Sequence, residues 1–177
     1  MTSGQLAIAV PLLAALTQSQ GQHVHHQPPA AEGGWVRYRH ESGGFSLEHP
    51  ADWVEERPKQ SVSIHIWHPT KAVHLFVAAF GMAEGSLEEF AEMKFTAQAE
   101  MFKALGPTRS IEGPGWKGLV QQAETVETEG GKHASRLMLC ARHGHRYVSL
   151  TLYLEPDELK QNGKDYERIF TSLRFDQ

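Results

Sequence analysis

Between Trp35 and Phe175 apolar side chains return mostly at every second position, and only two stretches replace that rhythm with spacings of three and four. A period of two belongs to a strand with one buried face, and a period near 3.6 belongs to an amphipathic helix. The order along the chain is strands, helix, strands, helix. Val36 and Tyr38, then Phe45 and Leu47, alternate with polar residues on either side of Ser42-Gly43-Gly44, which predicts two short strands around a turn. Val62, Ile64 and Ile66 alternate with Ser63, His65 and Trp67. After His68-Pro69-Thr70-Lys71, Val73, Leu75, Val77 and Ala79 alternate with His74, Phe76 and Ala78, so the two runs form an antiparallel hairpin. A turn that pairs His68 with Lys71 sets His65 directly opposite His74, on the same face as Trp67 and Phe76.

Ser86-Leu87-Glu88-Glu89 is a capping box and predicts a helix start. Leu87, Phe90, Met93, Ala97, Met101 and Leu105 extend a helical stripe that Gly106-Pro107 ends. Three more strands are expected at Trp116 to Thr125, His133 to Arg142 and Arg146 to Leu154, the last two joined at His143-Gly144-His145. A closing helix carries Tyr166, Ile169, Phe170 and Leu173, with Asp165 as its expected cap. Hairpin-length connections make the sheet largely antiparallel, and a helix after each half covers both of its faces. The expected class is therefore α+β, an α/β/α sandwich.

The 177 residues divide unevenly. Residues 1–17 resemble a signal peptide: Leu6 to Leu16 is an apolar run broken only by Pro11, far shorter than the roughly 20 residues a membrane-crossing helix requires. Residues 18–34 are a linker rich in His, Pro and Gln, and residues 35–177 are one domain. No cysteine lies near the expected cleavage region, so the expectation is a periplasmic or secreted protein without a lipid anchor or transmembrane span; an unprocessed N-terminus would leave it cytoplasmic. The formal net charge of −4 argues against a nucleic-acid binder, whose phosphate contacts require a basic surface.

The opening Tyr38, Gly44-Phe45-Ser46-Leu47, Pro50 and Trp53 resembles the start of PsbP-like and DcrB-like domains. The ending, Tyr147-Val148-Ser149-Leu150-Thr151-Leu152 followed by Tyr166, Ile169, Phe170 and Ser172-Leu173-Arg174-Phe175, is similar to that family's closing strand and helix. The resemblance covers about residues 35 to 176. It implies a compact α/β/α sandwich that works without known catalysis, by binding other proteins. Relatives act as an extrinsic photosystem subunit, as periplasmic proteins and as cytosolic chaperones of secreted effectors.

Catalytic motifs are poor. Gly113-Pro114-Gly115-Trp116-Lys117-Gly118 matches a dinucleotide fingerprint formally, but a strand follows it where that site needs a helix N-terminus. The single cysteine, Cys140, lies within a strand on the Met138 side, where a buried inert thiol is expected. Glu88, Glu89, Glu92 and Glu100 read as a solvated helix face. No enzyme is expected, and no obligatory cofactor. The 11 histidines are the residual signal. His23, His25 and His26 in the linker could gather zinc or copper, the basis of an alternative reading as a metal-binding protein. His65, Trp67, His74 and Phe76 are large amphipathic side chains of the kind enriched in interfaces, and they form the expected docking patch for a protein partner that the sequence does not identify, in an oligomeric state it does not fix.

Overall fold

The structure is a computed structural model that describes residues 30–31, 34–56, 63–81, 85–126 and 133–176. Its elements in chain order are β1 (Ala30–Ala31), β2 (Trp35–His40), β3 (Phe45–Pro50), β4 (Val54–Glu56), β5 (Ser63–Trp67), β6 (His74–Gly81), α1 (Leu87–Thr96), β7 (Phe102–Ala104), β8 (Arg109–Gly113), β9 (Trp116–Thr125), β10 (Ser135–His143), β11 (Arg146–Leu154), α2 (Pro156–Thr171) and β12 (Arg174–Phe175). Among the described residues every strand pairing is antiparallel. The expected α+β class holds, with one refinement: the strands divide into two sheets. The larger has eight strands in the order β4-β5-β6-β11-β10-β9-β7, with β8 also on β9, and the smaller has four in the order β1-β2-β3-β12.

Alternation in the long strands sorts side chains to the two faces of the larger sheet. Ile64, Ile66, Leu75, Val77, Leu137, Leu139, Leu150 and Leu152 point to one side and join Tyr38, Phe45, Leu47 and Trp53 of the smaller-sheet region and Tyr166, Ile169 and Phe170 of α2 in the main core. The other side meets α1, whose Phe90, Ala91 and Phe95 pack on Met138, Cys140 and Tyr147. Both faces thus carry a helix, and α2 shares its face with the smaller sheet. No described helix is long and apolar enough to cross a membrane.

The helices depart from expectation at their ends. The capping box at Ser86 is present, Ser86 Oγ accepting from Glu89 N–H and Glu89 accepting from Ser86 N–H. But α1 stops at Thr96 instead of running to Leu105, because Phe102–Ala104 is recruited as a strand by the free edge of β9. The expected stripe holds only in the first turn: Leu87 and Phe90 pack toward the sheet, but Met93, Met101 and Leu105 are exposed, and Ala91 and Phe95 complete the buried face. In α2 the expected cap, Asp165, lies within the helix, which begins nine residues earlier at Pro156, where proline's missing N–H is harmless. Asn162 leaves helical geometry (φ −118°, ψ 19°) within the helix, and its amide donates to Glu158 Oε1 at 2.6 Å.

Glu48 ties α2 to the smaller sheet through Arg37 and Arg168. Burial pushes its carboxyl upward, but the Arg168 hydrogen bonds and the charges of Arg37 and Arg168 outweigh burial and leave it below the usual range. A carboxylate depressed on folding contributes stability above its unfolded pKa and loses it as pH falls through the folded one. Glu48→Gln should therefore cost about 1 kcal/mol at pH 7, and the gap from wild type should close on acidification below the ordinary glutamate range, read as the difference in Tm across a pH series. A gap that does not change with pH would refute the linkage.

Candidate functional site

The β5–β6 hairpin places His65, Trp67, His74 and Phe76 on one face of the larger sheet, the face that α1 covers over β9 to β11 and, at Phe80, over the far end of β6. Its register differs by two residues from expectation. His65 stands opposite Phe76 and Trp67 opposite His74. The reason is the His68 ring: Nδ1 accepts from the backbone N–H of Thr70 and Lys71 at 3.1 and 3.2 Å, while His68 N–H donates to Val73 O at 3.0 Å. That widens the turn, so Val73 takes the pairing place assigned to Lys71. A two-residue shift preserves the face, so the expected patch forms with different neighbours.

The four side chains belong to a longer row. The Trp67 and His65 rings lie 4.8 Å apart, and His65 and Phe76 are stacked at 4.4 Å and 2°. Phe76 meets Tyr153 of β11 edge-on at 5.8 Å, and Tyr153 meets Phe102 of β7 at 5.7 Å. Offset and edge-on contacts of this kind add to the area the rings bury. Phe76 is 41% exposed at the centre of the row, and Trp67, His74, Tyr153 and Phe102 are half-buried.

Beyond Phe102 the row ends at Arg136, whose guanidinium lies 5.0 Å from the Phe102 ring. Arg136 is 1% exposed. Its Nη2 donates to Phe95 O in the last turn of α1 (3.3 Å) and to Gln121 Oε1 (3.1 Å), and no described carboxylate pairs with it. The side chain thus caps the negative end of α1. At the other end of the helix, Tyr147 OH donates to Gly85 O at 2.6 Å.

At the hairpin end, His65 Nε2 and His74 Nδ1 are 2.9 Å apart, and Glu56 Oε2 of β4 lies 3.7 Å from His65 Nδ1. Burial lowers the pKa of both histidines; the His74 charge lowers His65 further, and Glu56 opposes the shift. Both imidazoles are therefore weaker bases than a free histidine. Cys140 is fully buried, and burial pushes its thiol up to about 12 against the opposing charges of Lys94 and Arg136, which agrees with an inert core thiol. Glycines 113 and 115 belong to a hairpin turn with Pro114 at its corner and Gly115 at φ +76°, as the strand after them required.

His23, His25 and His26 lie outside the described residues. Among the described residues no group of three or more His, Cys, Asp or Glu is arranged to hold a metal. The sequence reading missed Tyr153, Phe102, Glu56 and Arg136. Strand parity carried a signal for two of them: Tyr153 and Arg136 are paired across β10 and β11, on the face opposite Leu152 and Leu137. Nothing local marked the short β4 and β7.

No protein-family model matches the chain, and no curated protein matches it. Solved structures do. The solution structure of cyanobacterial PsbP (CyanoP) from Synechocystis sp. PCC 6803 superposes with a TM-score of 0.63 at 12% identity, covering 90% of this chain and 98% of that one. LpqN, described as involved in cell envelope biogenesis of Mycobacterium tuberculosis, gives 0.54 at 12% identity over 87% and 89% of the two chains. A protein from Bacteroides thetaiotaomicron VPI-5482 gives 0.58 at 12% identity over 80% of this chain and 48% of its own. At such identity the likeness is one of architecture, and the architecture is the PsbP-like fold.

Proposed function

We propose that the chain is a noncatalytic, extracytoplasmic protein-binding module whose docking surface is the His65, Trp67, His74 and Phe76 face. The observation that carries this reading is the exposed Phe76 ring at the centre of an aromatic row that α1 leaves uncovered. Rings with an apolar body and a polar edge bury well against a partner and remain soluble without one. The occupant is a partner segment that lays an apolar or aromatic side chain across Phe76, because the row offers flat ring faces instead of a deep pocket.

A photo-crosslinking phenylalanine analogue at position 76 should yield a discrete adduct in the exporting host, whereas the same analogue at the exposed Met93 should not. Trp67→Ala with Phe76→Ala should abolish the adduct seen from a probe at position 74 while lowering Tm by only a few degrees. Equal adducts from positions 76 and 93, or collapse of folding in the double variant, would overturn the assignment.

Export is supported by the apolar run at Leu6 to Leu16. Expression in an exporting host should give a mature N-terminus near residues 18 to 22, read by mass spectrometry of the purified protein. Retention of Met1 would leave the module cytosolic, as a chaperone of the same fold.

A further inference from the structure

We propose that His65 Nε2 and His74 Nδ1 form a two-imidazole binding site for copper(II), with Glu56 as the carboxylate that orients His65 from behind. This goes beyond the docking reading and stands without it. The ring centroids are 5.1 Å apart and the planes 18° from parallel, yet the facing nitrogens are only 2.9 Å apart. Two five-membered rings meet those values only side by side, nitrogen edge to nitrogen edge. The contact is an in-plane N–H···N hydrogen bond, so one ring's lone pair already points at the other's N–H.

The proton positions follow from Glu56. A carboxylate beside His65 Nδ1 favours the proton on that atom, which makes His65 Nε2 the acceptor and His74 Nδ1 the donor. For a metal to enter, His74 moves its ring proton from Nδ1 to Nε2, and no net proton is lost. Both rings turn so that their lone pairs meet at a point beside the row. At metal–nitrogen distances of about 2.0 Å, two nitrogens held near their present 2.9 Å separation subtend roughly a right angle, the cis arrangement of a tetragonal site. Copper(II) prefers that geometry, and it heads the affinity order for divalent ions at nitrogen ligands. The remaining positions fall to water or to a donor from a partner, since no third protein ligand is grouped with the pair among the described residues. Glu56 behind His65 reproduces the carboxylate–histidine–metal order by which outer-shell groups fix a ligand's tautomer and raise its basicity.

The test uses the full chain with His23, His25 and His26 replaced by alanine, so that the linker cannot bind the probe. Copper(II) alone is titrated at pH 7. The expected result is one equivalent bound, quenching of the fluorescence of Trp67, which lies against His65, and an electron paramagnetic resonance spectrum with hyperfine coupling to two imidazole nitrogens. His74→Ala should abolish the signal. His65→Phe, which keeps a flat ring against Phe76, should abolish it with Tm nearly unchanged, and Glu56→Gln should weaken binding roughly tenfold. Absence of binding in the triple-alanine chain, or binding that persists in His65→Phe and His74→Ala, would overturn the proposal.

Discussion

Arg136→Ala is expected to lower Tm by roughly 10 °C and to release α1 from the sheet. The side chain is 1% exposed, and its Nε has no hydrogen-bond partner. Its charge is held by the Phe95 carbonyl, the Gln121 amide oxygen and the Phe102 ring, with burial lowering its pKa and Tyr153 and Cys140 opposing that shift. Truncation empties a large volume and strands the Phe95 and Gln121 acceptors in a site closed to bulk water. Together these cost about 3 to 4 kcal/mol, which at this chain length corresponds to the stated fall. Amide hydrogen exchange should localise the damage to Leu87–Thr96 and the turn after it. Arg136→Met fills much of the volume without burying a charge, so it should recover about half of the loss. An alanine variant with native exchange in α1 would show that the helix is held by Phe90 and Phe95 alone.

Trp116→Ala should cost about 4 kcal/mol, again near 10 °C in Tm, while leaving the aromatic row intact. Trp116 is 3% exposed, and its indole N–H donates to Leu173 O at 2.9 Å in a buried position, joining the β8–β9 hairpin to the link between α2 and β12. Gly113 lies beneath the ring, where an added Cβ would come within 2.2 Å of it. Trp116→Phe keeps most of the apolar area but leaves the Leu173 carbonyl unpaired, for a loss of about 1 to 2 kcal/mol. A phenylalanine variant as unstable as the alanine one would mean that the hydrogen bond, and not the ring's burial, dominates at this position.

What could be read in advance followed the range of the interactions involved. The long strands β9, β10 and β11 were legible because each buries a face over nine or ten residues, and alternation of that length has no other reading. The capping box at Ser86 was legible because it is a bond between neighbours in sequence. The end of α1 was not, since Met101 and Leu105 continue a helical spacing that is overridden by pairing of Phe102 with Thr125, more than twenty positions away. The register of the β5–β6 hairpin turned on one imidazole, His68, used as an acceptor inside its own turn. The face of the candidate site survived that error because the shift was even. Arg136 escaped notice because arginine is rarely buried, and only the assembled fold supplies a helix terminus for it to cap.

The larger sheet is bounded by short strands: β4 on one side and β7 on the other each have three residues, and β8 has five. Unpaired backbone on a long, flat border is what lets strands of separate molecules zip together into fibrils. Here Glu55 and Glu56 occupy two of the three β4 positions, and Glu55 is already engaged with His49 at 3.1 Å. A molecule with such borders can keep a broad ring-lined face open to solvent without inviting the edge-to-edge growth that would otherwise remove it from solution.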